Sequence, residues 1–235
     1  MRAVAEQEWL KGFFDFLFPP LCLGCGDYYL GQDSICEICF QNIDGFDYPF
    51  CLNCDSVIPN QTQCPICHEN SSLLFVFAGY RPPLKEIIIN FKFRGITSPA
   101  KTFASLIAAK FEKQLANLDA QAIVPIPLHP SRKNHRGYNQ AELLARELAS
   151  ITNLELADYI LYRHKRRRPQ SRLELEKRKA NVAGVFAAVK CESDIRRILL
   201  VDDVVTSGAT VLEAKKCLEQ NGYAVAGIVA IAHGH

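Results

Sequence analysis

The spacing of hydrophobic and polar positions changes twice along the chain. Over residues 5–18, Trp9, Leu10, Phe13, Phe14 and Leu17 recur at helical spacing above an acidic face, which predicts an amphipathic helix. Over 20–72 no period survives, and Gly, Asn, Pro and Cys dominate. From residue 73, strand-like and helix-like runs alternate. LLFVFAGY (73–80) reads as a strand; PPLKEIIINFKFRG reads as a helix opened by Pro82 and Pro83, with Gly95 after its end. A second helix is expected over about 98–117. AIVPIP (122–127) is a short buried strand ended by its prolines, and NQAELLARELASI (139–151) is a patterned helix. RILLVDD, ATVLEAKKCLEQNG (closed by Gly222) and YAVAGIVAIAHG then read as strand, helix and strand. Strands separated by helices of this length predict an α/β domain with a parallel sheet and crossover helices. The expected organisation is an amphipathic helix over 1–19, a cysteine-rich module over 20–72 and an α/β domain over 73–235.

Composition narrows the class. With 235 residues, 49% of them hydrophobic, the chain has ample material for a core, which excludes a disordered or collagen-like protein. The densest early apolar run, 13–23, contains Asp15 and two prolines and falls short of the ~20 residues of a membrane span. Glu6, Glu8, Lys11 and Asp15 interrupt what a signal peptide would keep apolar, so a cytoplasmic chain is expected. A membrane-surface helix is usually basic, so the acidic 5–18 segment is expected to dock on the protein itself. The formal net charge of +2 conceals −8 over 1–74 and +10 over 75–235. The second module should therefore prefer anions such as phosphate or nucleic acid.

Eight of the ten cysteines fall in four identical C-x-x-C pairs: Cys22 and Cys25, Cys36 and Cys39, Cys51 and Cys54, Cys64 and Cys67. Two thiolates so spaced on a tight turn reach one zinc at ~2.3 Å, and a second pair completes a tetrahedral site. Pairing in sequence gives two successive zinc ribbons; an interleaved arrangement satisfies the same count. A disulfide scaffold conflicts with a chain lacking a signal peptide, and redox pairs would accompany a βαβ pattern that this segment lacks. His68 could substitute as a ligand, although a solvent-facing histidine is the commoner case. So short a segment would depend on metal to fold.

The most informative residues run from Leu199 to Thr210, where an apolar strand delivers Asp202 and Asp203 into a small loop before a helix. Gly208 and Ala209 let backbone N–H groups approach an anion, Thr206, Ser207 and Thr210 offer hydroxyls, and the helix dipole favours negative charge. The two carboxylates would repel that anion. They suit sugar hydroxyls or a hydrated divalent cation instead. A sugar phosphate with a free diol satisfies both halves. No Gly-Lys-Ser/Thr run supports Walker-type nucleotide binding.

This stretch resembles the phosphoribosyl pyrophosphate (PRPP) signature of type I phosphoribosyltransferases. The resemblance implies a phosphoribosyltransferase-like parallel sheet, with Asp202 and Asp203 at the ribose hydroxyls as the catalytic pair and residues 206–210 around the 5′-phosphate. With the segments at 124–149 and 166–186 and the four C-x-x-C pairs, the chain resembles the ComF family of competence proteins, which includes the ComFC and GntX-like proteins. That resemblance implies a role in natural transformation and DNA uptake. It implies handling of incoming single-stranded DNA at the cytoplasmic face of the membrane, beside competence machinery such as a DNA-translocating helicase.

The remaining basic residues fit that setting. A loop after Pro127 carrying Arg132, Lys133, His135 and Arg136 would place cations where a pyrophosphate needs neutralising. Between residues 163 and 179 there are nine Lys and Arg against two Glu. That segment reads as a mobile basic loop that either closes over PRPP or follows a nucleic-acid backbone. Lys85, Lys92 and Arg94 can widen the basic face, with Phe91, Phe93 and Tyr138 as base-stacking groups or as core. Two functions follow. One is an enzyme in which PRPP, bound with magnesium, gives its ribosyl phosphate to an acceptor; the other is a nucleic-acid adaptor that keeps the PRPP pocket as a sensor.

Overall fold

In the computed structural model the described residues are 19–31, 34–59, 63–68, 71–163, 184–190 and 194–234. The expected amphipathic helix over 5–18 and most of the basic stretch at 163–179 lie outside them, as does Cys191.

The cysteine-rich region contributes a short helix α1 (Glu37–Gln41) and a strand β1 (Phe50–Cys51). The α/β region follows as β2 (Leu73–Gly79), α2 (Leu84–Phe93), α3 (Ser98–Lys110), α4 (Glu112–Ala116) and β3 (Ala122–Pro125). Next come α5 (Pro130–Arg136), α6 (Gln140–Thr152), β4 (Glu155–Leu156), β5 (Leu161–Arg163) and β6 (Phe186–Ala188). The series ends with β7 (Arg197–Val201), β8 (Val204–Val205), α7 (Ala209–Gln220) and β9 (Ala224–His233). One sheet has the order β1-β2-β9-β7-β3-β4, with β8 joined to the end of β9; β5 and β6 form a separate antiparallel pair. Every pairing in the large sheet is parallel except that of β1 with β2.

The continuous apolar runs of β2, β7 and β9 reflect burial on both faces, as parallel sheets require. Leu73, Phe75 and Phe77, with Leu199, Val201, Val229 and Ile231, point to the side covered by α2, α3 and α6. Leu74 and Val76, with Ile198, Leu200, Ile228 and Ala230, point to the other, under Val211, Ala214 and Leu218 of α7. Gly227 is required where this packing is tightest. A Cβ there would lie 2.9 Å from Phe75 and 3.0 Å from Leu118, beside the register shift between Ile198 and Leu199.

The cysteine-rich region shares this core. Cys22, Leu23, Ile35, Cys39, Cys51, Ile58 and Cys64 are buried in continuity with α2 and α3, and the Asn90 side-chain amide donates to the Leu23 carbonyl at 2.7 Å. Two expected elements differ. The helix expected over 98–117 breaks at Phe111, which is buried at the junction of α3 and α4. The segment expected as a basic loop is the helix α5, capped by the His129 side chain, which accepts from the Ser131 N–H. Pro130 at its first position has the fixed φ that a helix start needs, which reading the run as a loop overlooked.

Candidate functional site

The eight paired cysteines gather into two sets in chain order: Cys22, Cys25, Cys36 and Cys39, then Cys51, Cys54, Cys64 and Cys67. Within each set all four sulfurs lie within 4.8 Å of one another, with Cys25 to Cys36 at 3.8 Å and Cys54 to Cys64 at 3.5 Å. Four sulfurs ~2.3 Å from a tetrahedral centre sit about 3.8 Å apart, so both sets fit zinc. Backbone N–H groups of Gly24 and Cys36 donate to the Cys22 sulfur at 3.4 and 3.2 Å. Burial opposes ionisation of Cys22, but these donors outweigh it and hold the thiol down to about 6. Hydrogen bonds from Ser56 hold Cys54 down to about 6, while Cys67, facing Cys54, is pushed up to about 12. His68 is exposed and lies outside the second set.

The second site lies at the carboxyl edge of the sheet. The chain leaves β3 toward β4 at one side and leaves β7 toward β9 at the other, so the paired strand ends at Pro125 and Val201 mark the topological switch point of the sheet. Such a switch point is where open α/β sheets bind ligands. Asp202 and Asp203 leave β7 directly into it. The Asp203 N–H donates to Asp202 Oδ1 at 2.8 Å, and the Asp203 carboxylate accepts from Lys92 Nζ at 3.1 Å. Burial, reinforced by the neighbouring Asp203 charge, pushes the Asp202 carboxyl up to about 8, against the opposing pull of Lys92 and Arg163. Arg163, at the end of β5, is pushed down by burial and by Arg132, and held up by Asp202. Asp202, Asp203, Lys92 and Arg163 therefore form one electrostatic group, with Arg132 beside Arg163. Tyr80, at the end of β2, faces it, and burial with the Asp203 and Glu86 charges pushes its hydroxyl up.

The loop after the pair is held from three directions. β8 pairs with the end of β9, and the Val205 carbonyl lies 2.8 Å from His233 Nδ1 and accepts from the Gly234 N–H at 2.8 Å. Gly208 precedes α7 with φ of +71°, a backbone state that glycine adopts without strain. Leu52, between two cysteines of the second set, reaches within 3.7 Å of the position a Gly208 Cβ would take. Lys215 on α7 donates to the Ser71 carbonyl and lies 2.9 Å from the Ser72 hydroxyl, tying the helix to the same ribbon. Thr206 and Ser207 are exposed beside a recess of about 30 Å³ also lined by Asp202 and Thr210. A more voluminous cleft, about 570 Å³, lies at the opposite edge of the sheet; it is mainly apolar and remote from these groups.

The expected cations are distributed unevenly. Arg132 lies within electrostatic reach of Arg163; Lys133 is paired with Glu142 at 3.2 Å; Arg136 donates to Gln140 Oε1 at 3.2 Å and stacks over Phe93. Phe91 is fully buried, and Tyr138 is half-buried with its hydroxyl on the Phe91 carbonyl, so both belong to the core. Phe93 stays exposed. Lys92 was readable only as part of a surface face. Yet it follows Ile88 by four residues on the buried stripe of α2, and a lysine at such a position is a detectable signal. Arg163 carried no signal beyond membership of a basic run.

Two cysteine clusters of zinc-ribbon geometry, joined to a mostly parallel α/β sheet with flanking helices, define the class. Residues 13–68 match the double zinc ribbon domain family, which together with the sulfur geometry supports structural zinc. The chain is 31% identical over 223 residues to Competence protein F of Haemophilus influenzae, covering 91% of this chain and 95% of that protein. It is 29% identical over 203 residues to Competence protein ComFC of Bacillus subtilis, covering 82% and 81%. It is 28% identical over 214 residues to DNA utilization protein YhgH of Escherichia coli K12, covering 88% and 93%. The chain belongs to the ComF family of competence proteins. No helix among the described residues is long and apolar enough to cross a membrane.

Proposed function

We propose that this protein serves DNA uptake by binding PRPP with magnesium at the β3/β7 switch point and by handling single-stranded DNA on the cytoplasmic side of the membrane. The observation that carries the reading is the adjacent Asp202 and Asp203 at the end of β7, with Lys92 on Asp203 at 3.1 Å and Arg163 within electrostatic reach of Asp202, next to the anchored loop at 206–210. Asp202 and Asp203 would accept from the ribose hydroxyls, the loop N–H and hydroxyl groups would take the 5′-phosphate, and the guanidiniums of Arg132 and Arg163 would neutralise pyrophosphate. Lys92 would leave Asp203 for the diol and turn to the same anion. The names of the three relatives support the DNA-uptake role, as does the +10 balance of residues 75–235.

PRPP with magnesium should raise the melting temperature, because a ligand selective for the folded state must do so. Asp202→Asn with Asp203→Asn should remove most of the shift while zinc content stays unchanged. An undiminished shift in that variant would refute the assigned ribose site. The second reading, an active phosphoribosyltransferase, is favoured by the guanidinium pair, which would also stabilise a departing pyrophosphate. Release of pyrophosphate from PRPP and a candidate acceptor, lost in the same variant, would establish it; binding without release leaves the sensor reading.

A further inference from the structure

The exposed face of α2 carries Lys85, Ile89 and Phe93, each four residues from the last and so aligned along about 12 Å of helix. Phe93 is 60% exposed and Ile89 is 38% exposed, so two large apolar side chains lie one turn apart on the face opposite the one that fills the core. The Arg136 guanidinium lies 4.9 Å above the Phe93 ring. Exposed Arg94 and Arg132 flank the pair, and both helices leave the carboxyl edge of the sheet. On each side the platform is one step from the electrostatic group or its neighbour: Lys92, which bonds Asp203, precedes Phe93, and Arg132, beside Arg163, lies one turn before Arg136.

We infer that Phe93 and Arg136 form a stacking platform for a base of single-stranded nucleic acid, with Lys85, Arg94 and Arg132 holding the flanking phosphates. This rests on the single-stranded DNA reading above and assigns it to particular side chains. An exposed aromatic face already paired with a guanidinium presents a flat, cationic surface. A base can extend that stack, while a peptide partner would leave the surrounding positive charge unmatched. Ile89 continues the apolar strip, so a neighbouring sugar or base edge meets carbon and not water.

The test uses full-length, zinc-loaded protein, fluorescent oligo(dT) and an abasic oligonucleotide of equal length. Phe93→Ala and Phe93→Leu should each weaken oligo(dT) binding about tenfold, the loss of one stacked base, and Phe93→Trp should retain it. The abasic strand should bind wild type and Phe93→Ala alike, because it offers phosphates and no base. Equal oligo(dT) affinity for wild type and Phe93→Ala would overturn the platform and leave DNA binding itself standing. Equal loss on the abasic strand would also overturn it, making Phe93 a scaffold for the cations. Failure of wild type to bind either strand would overturn both the platform and the reading beneath it.

Discussion

Replacing Asp202 by asparagine should make the folded protein more stable above neutral pH and less able to bind its ligand. Burial and Asp203 push the Asp202 carboxyl up from an ordinary 3.8 to about 8. The folded state therefore keeps a proton that the unfolded chain releases near pH 4. Between those values the unfolded state binds fewer protons, so stability falls as pH rises and levels off above pH 8. A fully desolvated carboxyl would cost ~6 kcal/mol over that range. Asp202 is only half-buried, and solvent screening of its charge lowers the figure to about 2 kcal/mol. Asparagine keeps the shape and the acceptor for the Asp203 N–H without the charge. Thermal unfolding at pH 5 and pH 8.5, in magnesium-free buffer without chelator so that zinc stays bound, should give the variant only a small advantage at pH 5, about one unit above the pH at which the unfolded carboxyl ionises. At pH 8.5 the variant should melt about 4–8 °C higher. A variant less stable than wild type at pH 8.5, or a difference that does not change with pH, would refute the account of Asp202 as a group held against its own ionisation.

Elemental analysis of reduced protein should find two zinc ions per chain; Cys22→Ser should lose one and leave the set of Cys51, Cys54, Cys64 and Cys67 loaded. Gly227→Val should destabilise by about 1–3 kcal/mol in urea denaturation, since its side chain must displace Phe75 and Leu118. Oligonucleotide affinity should fall with salt, log K declining by about 0.7 per phosphate contact, and Arg132→Gln with Arg136→Gln should flatten the slope measured by anisotropy.

What could be read before the structure was known follows from how local each signal is. The strands β2, β7 and β9 and the helices α6 and α7 declare themselves because burial on both faces or on one stripe leaves a periodic trace in the residues themselves. The two- and three-residue strands β4, β5, β6 and β8 leave none, being too short for alternation and defined only by distant partners. The four C-x-x-C pairs announced zinc, but the choice between sequential and interleaved sets depends on how α1 and β1 fold the chain back. Asp202, Asp203 and the following loop stood out as a contiguous motif. Lys92, Tyr80 and Arg163 meet that motif from three other elements. Nothing in a linear pattern joins residue 92 to residue 203.

The placement of β1 also bears on the order in which the molecule is built. β2 lies between β1, which belongs to the cysteine-rich region, and β9, which is made after all the other described strands. During synthesis, β2 must therefore wait for one neighbour until almost the whole sheet has been translated, a long-range pairing that is intrinsically slow. The ribbon is available from the outset, and once it has taken up metal it can cover the other edge with Phe50 and Cys51. A bare, fully apolar strand is a template for pairing with other chains. A metal-bound ribbon would thus shield the nascent sheet on that edge. A chain starting at residue 73 would lose that shield, and should accumulate as aggregates during expression even where its refolded form is stable.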